Sequence, residues 1–328
     1  MTNQEKTPLA VGGRHAIIDL GTNTFQLLIA EATEGGGFRT FHEESRAAKI
    51  GKGGISDGFI SEEAIERALG VLSHYRTLTD AHGVPPEDVR PIATSAVRNA
   101  RNREEFVRRV WDATGFQIEV IDGAREAGLI HRGVTLGTPL GSEISLIMDI
   151  GGGSVEFILC DKHRIFYKQS FEIGGQRLTD RFVTADPMPP GQVGRLSDFL
   201  DEQLLPLTNA VHQYAPTMLI GSAGSFETLY EMHVLRQTGQ PAPPDWVTGT
   251  LPVTDFYRFR EEILTRNRAE RLQLPGMVEL RVDLIVAGVC LIDFVLRRYG
   301  IGSIQVSTYA LKEGVLAEML EAGQAFRK

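Results

Sequence analysis

The apolar positions of the chain follow two periods. Residues 16–32, AIIDLGTNTFQLLIAEA, place two short apolar runs around a polar turn and predict a strand–turn–strand hairpin. Between 57 and 82 the spacing changes. Ala64, Ile65, Ala68, Leu69, Leu72 and Tyr75 recur at three and four residues behind Ser61, a residue type that caps helices, so a helix is predicted there. A short strand over Val89–Ala93, a helix over Arg103–Thr114, a strand over Phe116–Ile121 and a helix from Arg125 to Val134 follow. A second half opens near Ser142 with SLIMDIGGGSVEFILC, another strand–turn–strand pattern. The spacing then predicts a strand over Arg164–Phe171, a helix over Leu196–Tyr214, and a strand over Thr217–Ile220 that breaks into GSAGS and a helix. Residues 237–252 carry four prolines and predict a surface loop, followed by one long helix over Met277–Tyr299, a strand over Ile304–Val306 and a closing helix over Thr308–Ala322. Strands and helices alternate throughout, which is the α/β class.

The two hairpins are copies of one another. Ile17-Ile18-Asp19-Leu20-Gly21-Thr22-Asn23-Thr24 aligns with Ile147-Met148-Asp149-Ile150-Gly151-Gly152-Gly153-Ser154. Each has an apolar strand, an Asp, a Gly two residues on and a hydroxyl residue five after the Asp. Such a repeat fixes architecture. Its chemistry is that of an anion site. Glycine lets the backbone approach a ligand, successive N–H groups form a nest, and the hydroxyl adds a donor. Thr22, Asn23 and Thr24 form one candidate phosphate cradle, and Gly151, Gly152, Gly153 and Ser154 form the other. Asp149 ends an otherwise apolar strand, where a carboxylate is costly unless paired or metal-bound, and a carboxylate there can take Mg²⁺ directly or through water. Asp19 is its counterpart, with a metal or phosphate-side role. A single such loop is also what an ordinary hairpin turn looks like; the argument rests on there being two.

Composition narrows the partners. The 328 residues allow two domains, and the net charge of −8 opposes non-specific nucleic-acid binding, which needs a basic footprint. A local basic pocket for a polyanion remains compatible with it. The two cysteines, Cys160 and Cys290, lie far apart in apolar runs and suggest neither a disulfide framework nor a zinc site. Met1–Arg14 has no apolar segment of the kind found in signal peptides, and the longest apolar stretch, Leu284–Leu296, is too short for a bilayer of about 30 Å. The reading is a soluble, cytoplasmic protein with no membrane partner. The eight histidines show no metal-ligand spacing, and no Walker, G-x-S-x-G or H-E-x-x-H motif is present.

With these residues in view, the chain resembles the exopolyphosphatase / guanosine pentaphosphate phosphohydrolase (Ppx/GppA) family of the actin-like phosphotransferase superfamily. IDLGTNTFQLLIA is similar to the family's opening motif, with Thr where Ser is usual. KIGKGGISDGFISEEAIERAL resembles its second block, with Lys49 in place of Arg. TSAVRNARN, IDGAREAGLIHRGV, DIGGGSVE, ELRVDLIVAGVCLI and VSTYALKEGVL resemble further blocks in order. The resemblance implies two actin-like (ribonuclease H-like) domains with a cleft between them, here 1–124 plus about 308–328, and 125–307. It implies Mg²⁺ (or Mn²⁺) and attack of water on the end of inorganic polyphosphate or guanosine pentaphosphate. It also implies a homodimer. Glu126 becomes the general base, which from position alone is equally a first-turn helix glutamate. Glu156 becomes a second acidic residue on the water or metal, Arg98 a guanidinium for the terminal phosphate, and Arg281 a contact to a distal phosphate. The GSAGS loop either holds a nucleoside, as in kinases of the superfamily, or is a tight strand-to-helix turn. The alternatives are an actin-like ATPase or sugar kinase, and a non-catalytic sensor of polyphosphate or guanosine pentaphosphate.

Overall fold

The computed structural model describes residues 13–33 and 37–325, so the N-terminal stretch read above for a leader lies outside the described residues but for its last two. Contacts divide the chain into two compact units, Met1–Gly133 with Leu311–Lys328, and Val134–Ala310. Among the described residues no helix is long and apolar enough to cross a membrane.

Unit 1 opens with strands β1 (Arg14–Leu20), β2 (Thr24–Ala32) and β3 (Phe38–Ala47), helix α1 (Glu62–Ala81) and strand β4 (Val89–Ala93). Then come α2 (Ser95–Arg98), α3 (Arg103–Thr114), β5 (Glu119–Val120) and α4 (Gly123–Gly137), which runs through the boundary into unit 2. The sheet order is β3-β2-β1-β4-β5. Ser61 caps α1 as the sequence predicts, its hydroxyl accepting from Ala64 N–H at 3.3 Å. The helix seats Ala64, Ile65, Ala68, Leu72 and Tyr75 in a core shared with Ile18, Leu20, Phe25 and Leu27 of the sheet.

Unit 2 contains β6 (Ser145–Ile150), β7 (Val155–Cys160), β8 (Ile165–Phe171), α5 (Gly175–Phe182), α6 (Pro190–Gln203) and α7 (Leu205–Tyr214). It continues with β9 (Met218–Ser222), α8 (Gly224–Thr238), β10 (Thr248–Leu251), α9 (Val253–Thr265), α10 (Arg268–Arg271), α11 (Ile285–Tyr299) and β11 (Ile304–Ser307). Helix α12 (Leu311–Ala325) then completes unit 1. The second sheet has the order β10-β11-β9-β6-β7-β8. Strands β6 and β7 are buried at every position, so their sequences read as continuous apolar runs rather than alternating ones. The duplication extends past the hairpins. In each unit the first strand pairs antiparallel with the second and parallel with a later strand, β1 with β2 and β4, β6 with β7 and β9. The β7–β8 pairing carries a register shift at Leu159/Cys160, where Phe166 is left unmatched.

Three predicted elements differ. The helix read over 196–214 is two helices, because the chain breaks at Leu204 and restarts with Pro206 in the first turn of α7. The long helix begins only at Ile285; residues 279–284 form turns after Gly276, whose φ of 86° no helix accommodates. The surface loop over 237–252 contains edge strand β10.

Helix α12 crosses α4 at a glycine: a Cβ at Gly314 would lie 1.8 Å from the Leu129 carbonyl oxygen. Backbone on both sides leaves no side chain to yield. Gly314→Ala is therefore expected to lower stability by about 1–3 kcal/mol, the usual cost of overpacking. Urea unfolding followed by circular dichroism measures it.

Candidate active site

Both glycine turns close in the same way. A Cβ at Gly21 would lie 2.8 Å from the Thr24 carbonyl oxygen, and one at Gly151 would lie 3.0 Å from that of Ser154. What distinguishes these turns from plain hairpin turns is where their carbonyls point. In the β6–β7 turn, the Gly151, Gly152 and Gly153 carbonyls accept from the N–H groups of Gly175, Gln176 and Gly174 at 2.9, 2.8 and 3.1 Å. Arg177 Nε adds a bond to Gly153 O at 2.9 Å. In a trans peptide the N–H points opposite the C=O. Three carbonyls turned toward the start of α5 therefore turn the N–H groups of Gly152, Gly153 and Ser154 the other way, as an anion nest requires. Gly174 makes this approach possible, since a Cβ there would meet Gly152 and Gly153 backbone at 2.4–2.5 Å. The β1–β2 turn repeats the device. Thr22 O accepts from Gly51 N–H at 3.0 Å, and Asn23 O from Ala48 and Lys49 N–H at 3.0 and 2.8 Å. This turns the N–H groups of Asn23 and Thr24 outward. The Thr24 hydroxyl is buried with no hydrogen-bond partner among the described residues.

The carboxylates sit at the strand ends beside these turns. Register pairs Asp149 on β6 directly with Glu156 on β7, 7% and 1% exposed. Side chains so paired share a face, and two like charges there repel unless a cation or strong donors intervene. Asp149 Oδ2 accepts from Ser222 Oγ and Glu156 Oε1 from Ser170 Oγ, both at 2.6 Å. In unit 1 the same level holds Asp19 opposite Gln26, so the copies share a fold but not a charge.

Glu126 lies in the first turn of α4, where Asp122 accepts from Arg125 N–H through its side chain at 2.7 Å and from Glu126 N–H through its carbonyl at 2.9 Å. The helix N-terminus favours an anion at that position. Its carboxylate is buried and accepts from Arg98 Nη1 at 2.6 Å; the same nitrogen reaches Ile121 O at 3.3 Å. The structure thus brings Arg98 and Glu126 together, 28 residues apart in sequence.

Arg281 lies in the turns before α11. Its guanidinium covers Gly224 of the GSAGS loop, where a Cβ would meet Arg281 Cζ at 1.9 Å. The neighbouring Glu279 and Asp283 are held by Arg268 at 3.3 and 2.9 Å. Ala223 in that loop adopts φ 68°, ψ 171°, a strained conformation for a residue with a Cβ. Ser170 is not marked by the sequence, and Ser222 and Lys49–Gly51 are marked only as parts of the GSAGS loop and of the KIGKGG block, not for the contacts they make here. The paired glycines Gly174-Gly175 after β8 are a further local signal for the 174–176 segment. The cysteine thiols are not nucleophile candidates, since burial pushes both up to about 12.

The donor set suits Mg²⁺. This ion takes as few as one or two carboxylates and completes its shell with water and substrate phosphate, and the buried Asp149 at the end of β6 is a carboxylate of that kind. Among the described residues no group of three or more His, Cys, Asp or Glu converges as a self-sufficient metal site.

Duplicated glycine turns, each beside a strand-end carboxylate, on actin-like sheets belong to proteins that act on phosphoryl groups. The chain belongs to the Ppx/GppA phosphatase family, whose model matches residues 28–322. It is a hydrolase of phosphoanhydrides. It is similar to Exopolyphosphatase 2 of Mycobacterium tuberculosis, 31% identical over 314 residues, 92% of this chain and 97% of that protein. An exopolyphosphatase structure from Cytophaga hutchinsonii is 46% identical with a TM-score of 0.90, covering 94% of this chain and 98% of that one. The Ppx/GppA member from Aquifex aeolicus is 26% identical with a TM-score of 0.76, over 94% and 98%.

Removing one partner of a buried ion pair costs more than removing both. Arg98→Ala is expected to destabilise the protein by about 3–5 kcal/mol, and the double variant Arg98→Met/Glu126→Gln by clearly less. Chemical denaturation of the wild type and the two variants tests this; a double variant no more stable than Arg98→Ala would contradict it.

Proposed function

We propose that the chain removes the terminal phosphate of inorganic polyphosphate in a Mg²⁺-dependent hydrolysis, with guanosine pentaphosphate as a second substrate sharing the same terminal chemistry. The observation that carries this is the set of turn carbonyls tied back in both units. In each unit it leaves a row of N–H donors beside a strand-end carboxylate, Asp19 or Asp149, an arrangement suited to phosphate. The two exopolyphosphatases to which the chain is similar support polyphosphate as the main substrate.

Glu126 accepts a proton from the attacking water, and Glu156 helps orient that water. The water oxygen bonds to the terminal phosphorus, the bridging P–O bond breaks, and the shortened chain leaves with the bridging oxygen. Arg98 and the N–H groups of Gly152, Gly153, Ser154, Asn23 and Thr24 stabilise the charge on the phosphoryl oxygens; positioning and electrostatics carry most of such catalysis. Asp149, with Asp19 as its counterpart, would hold Mg²⁺, which neutralises phosphate charge when bound. Arg281, over Gly224, takes a more distant phosphate. A cytoplasmic setting and a homodimeric state belong to the same proposal.

Purified protein with Mg²⁺ is expected to release phosphate from long-chain polyphosphate. Glu126→Gln should lose at least about 10²-fold in turnover, the usual share of a general base. Phosphate assays on polyphosphate, guanosine pentaphosphate and ATP make the test. ATP turnover that requires a sugar acceptor, with polyphosphate untouched, points to a kinase; tight polyphosphate binding without release points to a sensor.

A further inference from the structure

At one level the second sheet changes character. Register aligns Thr248, Ser307, Ser222, Asp149, Glu156 and Ser170 across β10, β11, β9, β6, β7 and β8, a hydroxyl or carboxylate on every strand. The outer members are used locally. Ser307 Oγ donates to Tyr309 O at 3.1 Å, and Thr248 Oγ1 accepts from Gln305 Nε2 at 3.1 Å. The inner two serines are not. Each carries a single hydroxyl proton and directs it to a carboxylate, Ser222 to Asp149 and Ser170 to Glu156, both at 2.6 Å.

We propose that Ser222 and Ser170 are positioning residues that bracket the carboxylate pair, each fixing one oxygen and thereby the aim of the other. This rests on the phosphohydrolase reading above. The serines lie on opposite sides of the pair, β9 beyond β6 and β8 beyond β7. Each therefore draws one oxygen of its own carboxylate, Asp149 Oδ2 or Glu156 Oε1, to its own side. The orientations of Asp149 Oδ1 and Glu156 Oε2 are set as a consequence. The two brackets serve different functions. Ser222 is fully buried and holds the residue assigned to the cation, whereas Ser170 is half-buried and holds the residue assigned to the water.

The split is testable in the full-length protein. Supporting partners of this kind cost about 10–100-fold in metal affinity or activity when removed. Ser222→Ala is expected to weaken Mn²⁺ binding, read by electron paramagnetic resonance without substrate, by about tenfold or more. Ser170→Ala is expected to keep wild-type Mn²⁺ affinity and KM for polyphosphate while kcat falls by about tenfold or more. Ser170→Thr, which keeps the hydroxyl, should recover kcat. Circular dichroism confirms that each variant is folded. Folded alanine variants with wild-type Mn²⁺ affinity and kcat would overturn the proposal, as would a Ser170→Thr protein no better than Ser170→Ala. Wild-type protein that releases no phosphate contradicts the hydrolase reading instead, and the Mn²⁺ arm still decides for Ser222.

Discussion

Three consecutive glycine carbonyls at the end of β6 must be satisfied inside the protein, and the start of α5 satisfies all of them. That contact fixes the orientation of the turn. Because the peptide is planar, committing the carbonyls to one side commits the N–H groups to the other. The outward row of N–H donors is thus a by-product of ordinary backbone accounting, with Arg177 adding one side-chain bond to Gly153 O. It also explains why glycine recurs at Gly174, in a segment that never enters the turn itself: the two backbones approach too closely for a Cβ.

The repeated fold carries unequal chemistry. Asp19 and Asp149 occupy equivalent strand ends, yet the first faces Gln26 and the second faces Glu156. One substitution class, amide against carboxylate, separates the two copies at this level. The ion pair between Arg98 and Glu126 places a further carboxylate under different control, through a guanidinium rather than through hydroxyls. Three buried carboxylates are thereby held in three environments, and unequal environments allow one residue type to fill several roles.

Much of this was legible in the chain. Apolar runs and the repeated Asp-x-Gly turns gave the hairpins and the α/β class, because burial and backbone approach leave strong local signatures. Strands β3 and β10 left none. They are sheet edges, β3 without a buried position and β10 with only Leu251 buried, so no apolar alternation marks them. The late start of α11 left no local mark: Glu279 and Asp283, four apart as on one helix face, are instead held by Arg268 in the preceding turns. Within the site, residue types were readable but partners were not. Nothing local in sequence announces that Arg98 meets Glu126, that residues 48–51 hold the first turn, or that Ser170 faces Glu156, since each pairing is made by tertiary register.

That last pairing depends on a single irregularity. Counting back from the β7–β8 turn, an unbroken ladder starting at Cys160 opposite Ile165 would bring Gln169 opposite Glu156 and turn Ser170 to the other face. The unmatched Phe166 adds one residue to β8 and resets the count, so that a hydroxyl arrives where an amide would have been. The bulge acts as a vernier between the two strands. Changes in hairpin length on the turn side of it can be absorbed without consequence, whereas one inserted or deleted residue on the site side would exchange the faces of the strand. Length variation in this part of the chain should therefore be lopsided, free at the Asp161–Arg164 turn and absent between Tyr167 and Ser170.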